Sequence, residues 1–336
     1  MKYAPIYIPT LCRSEHFIRL MESLRKNTWA KYTDVYIALD YPAKDSQKDG
    51  YNKICEYLKE DFTEFASFNL IKRDKNYGSS RNSKEILEYI SSKYDRFIRT
   101  DDDCEFSPNF LEYINKGLEY AETHEDIIAV TGYSYPLNWK LTMDNANVFL
   151  ADFLCPMWGT GFLIERFNKI QSLIENGYIE KCLKSNNWKK LCFTDARYID
   201  FVNGSLSKKP NLTKVVSDIA ISTVLPLVGM YVITPVISRV RNYGFDGSGI
   251  YCQDTSKLSH EKITAFNYDY ARQKIDCDVE FVLKIDDSHD CSLNRKVINA
   301  FDTRKPIDLF KADLKYRLYK ICGERVYDII YGLFKG

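Results

Sequence analysis

The chain of 336 residues lacks several things. No run reaches about 18 consecutive apolar residues, so no segment suits a membrane-spanning helix. The formal charge is only +1, so there is no global attraction for nucleic acid. The ten cysteines include no C-x-x-C pair and no zinc-like spacing, which favours reduced thiols in a cytoplasmic protein. Histidine is scarce. His16, His124, His260 and His289 form no ligand cluster, and only His260 or His289 stands as a candidate to complete a metal shell. The opening MKYAPIYIPT has no basic stretch followed by a long apolar one, so no secretory leader is expected. There is no internal repeat or low-complexity block.

What is present is ordinary for a soluble protein, with 45% apolar and 28% charged residues. The aromatic share of 14% is high and mostly Tyr and Phe, which suits sugars and interfaces. The length fits one large α/β domain or two smaller ones.

The first hundred residues alternate strand and helix signals. APIYIPTL, DVYIALDYP, FNLIKRD and DRFIRTDDD read as strands. SEHFIRLMESLRKN (with Ser14 as N-cap), GYNKICEYLKEDF and RNSKEILEYISSKY read as the helices between them. Strand-helix units in series predict a parallel sheet with right-handed crossovers, and ligands beyond the carboxyl ends of its strands. Pro9 and Thr10, Asp40, the KNYGSS loop and Asp101, Asp102 and Asp103 all fall at such ends. A further helix is expected over SPNFLEYINKGLEYAE, with Ser107 as N-cap and Pro108 at its first position. Later come strands at IIAVTGYSY, NVFLADFL and MYVITPVISRV, and helices near Arg166–Asn176 and after Asp218.

Three adjacent carboxylates repel one another unless something positive binds them. In an extended segment Asp101 and Asp103 share a face, and two carboxylates at a strand end can hold a hard divalent cation such as Mg²⁺ or Mn²⁺. The alternative is a solvated acidic turn before a helix. Arg13 can pair with a diphosphate or be a surface arginine. Asp40 can accept hydrogen bonds from a ribose or base, or close a turn. Asn76, Gly78 and Arg81 form a loop-to-helix entry suited to phosphate or sugar, or to neither. Asp218 is either a helix N-cap or a general base. Gly247, Ser248 and Gly249, in FDGSG, form a mobile lid or a surface turn. Trp158 and Gly159 form a sugar platform or part of the core.

The segments PIYIPTLCR, VYIALDYP, FIRTDDDCEFSPNFLEYI, WGTGFLIER, SDIAIS and ISRVRNYGFDGSG run in one order from about residue 4 to 250. That order resembles the GT-A glycosyltransferases, chiefly bacterial family 2-type enzymes and, more distantly, the inverting N-acetylglucosaminyltransferase I. The resemblance implies an α/β GT-A (Rossmann-like) fold, a mostly parallel sheet flanked by helices with a C-terminal helical extension. Residues 1–105 would be the nucleotide-sugar half, 106–255 the acceptor and catalytic half of the same domain, and 256–336 the extension. It further implies Mn²⁺ or Mg²⁺ on Asp103, and a UDP-sugar donor, UDP-GlcNAc in the nearest resemblance. Asp101 and Asp102 would touch the nucleotide sugar, and Arg13 and Asp40 the UDP. Asp218 would be the base, Gly247–Gly249 the donor-closing loop, and a glycan or lipid-linked glycan the acceptor. Relatives commonly begin the triplet with Glu where this chain has Asp101, and the tryptophan often found near the base is missing before Asp218.

A sugar-nucleotide pyrophosphorylase would carry a Gly-rich loop after strand 1, and PTLCRSE has no glycine. A non-catalytic carbohydrate- or nucleotide-binding protein on the same fold is the other alternative. From Arg304 onward, eight basic and four acidic residues mix with Leu, Phe, Tyr and Ile. Residues 306–336 are therefore expected to form basic amphipathic helices, facing either an anionic membrane on its inner side or the catalytic domain.

Overall fold

In a computed structural model, the structure describes residues 2–184, 214–249, 254, 274–301 and scattered positions from 307 to 326. The NGSLSKKPNLT loop with its sequons at Asn203 and Asn211, His260, and most of the C-terminal segment lie outside the described residues.

The first half follows the strand-helix reading. Strands β1 (Ile6–Thr10), β2 (Asp34–Leu39), β3 (Ser67–Lys72) and β4 (Arg96–Arg99) alternate with helices α1 (Ser14–Arg25), α2 (Lys48–Tyr57) and α3 (Ser79–Ser91). Then come β5 (Cys104–Phe106), α4 (Phe110–Glu122), β6 (Ile127–Thr131), β7 (Val148–Ala151), β8 (Thr160–Leu163), α5 (Ile164–Glu175) and α6 (Tyr178–Lys184). Helix α7 (Asp218–Val228), β9 (Tyr231–Pro235), β10 (Val240–Asn242), β11 (Ile285–Asp286) and α8 (Ser292–Phe301) follow.

Among the described residues, nine strands form one sheet in the order β11-β7-β9-β6-β8-β4-β1-β2-β3. The β4-β1-β2-β3 run is parallel, while β8 is antiparallel to both β4 and β6. Helices cover both faces. On one, Phe17, Leu20, Met21 and Leu24 of α1 are buried at helical spacing with Ile8, Ile37 and Ile98. On the other, Ile86 and Ile90 of α3 and Ile221, Val224 and Leu225 of α7 pack with Tyr36, Phe97 and Phe162. Each such side chain contributes about 1.5–3 kcal/mol relative to exposure.

Three local expectations need correction. Helix α1 starts at Ser14 and is entered from Arg13, whose carbonyl accepts the Phe17 N–H at 2.9 Å, so Ser14 is not the cap. Helix α4 starts at Phe110, after Asn109, because Ser107 is held by its N–H to the Arg239 carbonyl at the end of a β5–β10 ribbon. The MYVITPVISRV strand is two strands. After Pro235 the chain leaves the main sheet, and β10 pairs antiparallel with β5, Val240 opposite Phe106 and Asn242 opposite Cys104.

That detour positions the site. It lays the segment after β10 directly over the turn after β4, with the Tyr243 N–H on the Asp103 carbonyl at 2.8 Å.

Candidate active site

Because β1, β2, β3 and β4 run parallel, Thr10, Asp40, the 73–78 loop and the triplet all emerge at one edge of the sheet. Strand β8 runs the other way, so its beginning, after Trp158 and Gly159, lies at that edge too. Helix α7 leads down to the start of β9, which sets Asp218, at its first position, on the same edge.

Strand β4 stops at Arg99, and Asp102 and Asp103 occupy a tight turn. The alternation expected of an extended segment therefore does not apply. Asp102 and Asp103 both face Arg13, while Asp101 pairs with Arg99 at 3.4 Å. The Arg13 guanidinium forks. Nη1 donates to Asp103 Oδ2 at 2.7 Å, and Nη2 donates to Asp102 Oδ1. The Thr10 hydroxyl donates to the other Asp102 oxygen at 2.8 Å. Asp102 and Asp103 are buried. Burial pushes the Asp103 carboxyl up to about 7; Arg13 opposes this, while Asp101 and Asp102 add to it. Burial works against the Arg13 charge, but the two carboxylates more than offset it and hold the guanidinium protonated.

Two glycines make this packing possible. A Cβ on Gly244 would stand 2.9 Å from Asp103 Cγ and nearer still to Oδ2. One on Gly50, in α2, would stand 2.9 Å from the Cys12 carbonyl carbon and nearer still to its oxygen, so α2 presses on the turn that carries Arg13.

Asp40 is buried at the end of β2. Its Oδ1 accepts the Tyr41 and Tyr77 N–H groups at 2.9 and 2.8 Å, and its Oδ2 accepts the Gly78 N–H at 2.8 Å and Asn76 Nδ2 at 3.4 Å. These four bonds fill the capacity of a carboxylate. Asn76 also donates to the Tyr41 carbonyl at 2.6 Å. Arg81 donates to Glu85 at 2.8 Å and covers the Tyr77 ring at 4.2 Å, with Arg73 at 4.7 Å from the same ring. Tyr77 is thus flanked by two guanidiniums at the rim of the crevice.

The FDGSG loop arches over the aspartates. Gly247 has φ +79, which favours glycine. Asp246 caps its own turn through the Ser248 N–H at 2.8 Å and meets His16 Nε2, on α1, at 2.9 Å. Arg19 donates to His16 Nδ1 at 3.2 Å, which leaves the imidazole proton on Nε2, facing Asp246. A Cβ on Gly249 would stand 3.4 Å from Arg13 Nη1. At the other end of the loop, Phe245 meets the half-buried Trp158 edge-to-face at 5.8 Å, and Trp158 meets Tyr133 at 4.7 Å.

Residues 6–183, more than half the chain, match the description "Glycosyl transferase family 2". The chain belongs to glycosyl transferase family 2. Its α/β architecture, a large mostly parallel sheet flanked by helices, is the GT-A fold of such transferases. A comparison with curated proteins returned no match. Similar solved structures include S. aureus TarS, at 14% identity over 44% of this chain and 24% of that one, with a TM-score of 0.30. The S. aureus TarS 1–349 structure shows 14% identity over 51% of this chain and 50% of that one, TM-score 0.34. The mannosyltransferase PcManGT from Pyrobaculum calidifontis, in complex with GDP-Man and Mn²⁺, shows 12% identity over 40% of this chain and 36% of that one, TM-score 0.31. The match thus spans from about a quarter to half of these proteins' own length.

In this family 2 chain the sheet edge assembles nearly every candidate residue. His289 is an exception. It pairs with Asp126 at 2.7 Å and meets the Tyr231 ring, at the opposite edge, where β6 and β9 begin. It cannot complete a shell on Asp103. Asp218 does not cap its helix. Ser217 does, accepting the Ala220 N–H at 3.1 Å.

Three contributors were missed by reading the family 2 sequence. Arg99 lies between Tyr7, its register partner on β1, and Asp101, and its charge is favoured by Asp101 and by Asp218. It stands in the RTDDD stretch, and a lone arginine ending a buried strand was the available signal. His16 with Asp246, and Gly244, left no signal that sequence spacing alone could supply.

Proposed function

We propose that this chain is a metal-dependent, inverting glycosyltransferase. It moves a sugar from a UDP-sugar, with UDP-GlcNAc the first to test, to a hydroxyl of a glycan or lipid-linked glycan in cell-surface polysaccharide synthesis. The observation that carries the reading is the buried Asp102–Asp103 turn, gripped by Arg13 beneath a glycine loop and sharing its sheet edge with Asp218.

The residues fit a hard divalent cation. Among the described residues no three His, Cys, Asp or Glu side chains converge on one point, and both Asp102 oxygens are taken by Arg13 and Thr10. But Asp103 Oδ1 has only the weak Cys104 thiol at 3.9 Å against it, and charge on Asp103 lacks full compensation. That leaves one carboxylate oxygen for a cation whose other ligands the diphosphate and water would supply. Asp103 would hold the cation, with Asp101 and Asp102 toward the nucleotide sugar. When bound, Mn²⁺ or Mg²⁺ would offset negative charge gathering on the departing diphosphate.

The chain's own residues supply the rest. Asp218 takes the proton from the acceptor hydroxyl as its oxygen forms the bond to the anomeric carbon. The bond to the diphosphate breaks on the opposite face, so configuration inverts. Arg99, whose charge burial opposes and Asp101 and Asp218 favour, is the cation on the Asp218 side of the site. Asp40, its carboxylate filled, serves the donor by fixing the 76–78 loop rather than by touching a base. Loop 245–249 excludes water above Arg13, and Trp158 offers an indole face to a sugar.

At the C-terminus, the described positions Ile307, Phe310, Leu314 and Ile321 are helical and from 49 to 80% exposed. Leu318, by contrast, is partly buried against the core cluster that includes Ile221, Val224 and Leu225 of α7. Among the described residues no helix is long and apolar enough to cross a membrane. We assign these four exposed apolar positions, with the lysines and arginines of the segment, to the surface of an anionic membrane. Unchanged membrane fractionation after deletion of residues 306–336 would contradict that.

The deciding experiment is UDP release from a panel of UDP-sugars with glycan acceptors, in Mn²⁺ and in EDTA, with NMR of the product anomer. Metal-dependent release and an inverted linkage are expected. Retention of configuration, or turnover undiminished in EDTA, would refute the mechanism.

A further inference from the structure

Arg13 sits where a diphosphate-binding side chain is wanted, yet both arms of its fork are engaged by carboxylates. It is the cation against Asp103, and Asp103 Oδ2 already accepts its Nη1 at 2.7 Å. The second nearby guanidinium, Arg99, faces Asp101 instead. A divalent cation on Asp103 would therefore meet the Arg13 charge within contact range, where like charges repel strongly in a part-buried site.

A diphosphate changes the balance. Its oxygens match the guanidinium fork as well as a carboxylate does. The overlying loop approaches the guanidinium at Gly249, which presents no side chain of its own; a Cβ placed on it would already be in contact, 3.4 Å from Nη1.

We infer that Arg13 is the resident counter-ion of the aspartate turn, and that it yields Asp103 to the divalent cation when a nucleoside diphosphate arrives to take the guanidinium. Metal and nucleotide then bind with mutual coupling, equal in both directions by linkage. The metal alone binds weakly, because Arg13 competes with it. Between turnovers Arg13 offsets part of the charge of the two aspartates in the buried turn. This inference rests on the metal-dependent reading of the site.

The test titrates Mn²⁺ into the full chain, wild type and Arg13→Gln, alone and with saturating UDP or GDP, following free Mn²⁺ by electron paramagnetic resonance. Without nucleotide, Arg13→Gln is expected to bind Mn²⁺ at least about ten-fold more tightly than wild type, since one competing charge is gone. The factor by which UDP or GDP improves Mn²⁺ binding should shrink in the variant. Arg13→Met, which keeps an unbranched apolar stem, carries the same two outcomes if the Gln variant does not melt cooperatively. Tight nucleotide–Mn²⁺ binding by wild type, with no gain for Mn²⁺ alone in the folded variant, overturns the exchange and leaves the transferase reading standing. Absence of nucleotide-dependent Mn²⁺ binding in wild type overturns both.

Discussion

Replacing Gly244 with alanine should damage the site without removing any charged group. A methyl there would stand 2.9 Å from Asp103 Cγ and 3.0 Å from Asn242 Oδ1, and nearer still to Asp103 Oδ2. Ordinary contact begins near 3.4 Å, so the carboxylate must retreat by at least about half an ångström. Asp103 is poorly free to do so. Its Oδ2 is held by Arg13 at 2.7 Å and its carbonyl by the Tyr243 N–H at 2.8 Å. Gly244 is itself fixed, its N–H on Asn242 Oδ1 at 2.6 Å. Overpacking of this kind typically costs about 1–3 kcal/mol. If it falls on Asp103, nucleotide–metal affinity drops roughly ten- to a hundred-fold, at about 1.4 kcal/mol per factor of ten. Calorimetric titration of UDP with Mn²⁺ measures it, beside a melting curve. Gly229→Ala is the control. Its φ of +67 makes alanine strained there, but nothing lies within 4 Å of its Cβ, so it should lower stability and leave binding alone. Folded Gly244→Ala that binds within two-fold of wild type would refute the reasoning.

Asp40→Asn puts a donor where an N–H must be accepted, and should cost about 2–3 kcal/mol with faster hydrogen exchange at Tyr77 and Gly78; unchanged exchange would show that the loop is held otherwise. Burial holds the Asp103 carboxyl near 7, so the folded state keeps a proton that the unfolded chain loses near 4. Without metal, stability should therefore fall as pH rises through that window and level off above it. Asp103→Asn stays neutral throughout, so it should melt higher than wild type at pH 8, the gap closing toward pH 4; parallel curves would contradict the burial argument. Asp218→Asn should lower transfer at least about a hundred-fold while UDP binding stays intact, and lost UDP binding in the folded variant would count against a base.

The repeating strand-helix half was legible because its periodicity is local. Phe17, Leu20, Met21 and Leu24 announce α1, and the apolar run before the triplet announces β4. The parallel order of β4-β1-β2-β3 follows from the crossovers, and with it the gathering of Thr10, Arg13, Asp40 and the aspartates at one edge. What the sequence hid are events between distant segments. Nothing near residue 236 announces that the chain will leave the sheet to pair with β5, and that detour is what lays Gly244 against Asp103. The turn at Asp102–Asp103 replaced strand alternation, so Arg13 grips two neighbouring acids instead of alternate ones. The sequence showed His16 only as one of four unclustered histidines, because its partner, Asp246, lies 230 positions away.

The most direct test of the central claim is calorimetric titration of UDP, with and without Mn²⁺, into wild type and Asp103→Ala. Binding that requires Mn²⁺ and is lost in the variant is the predicted result, and would mean that the aspartates hold a cation against a diphosphate. UDP binding that is indifferent to Mn²⁺ and to Asp103, or no binding by the wild type, would contradict it.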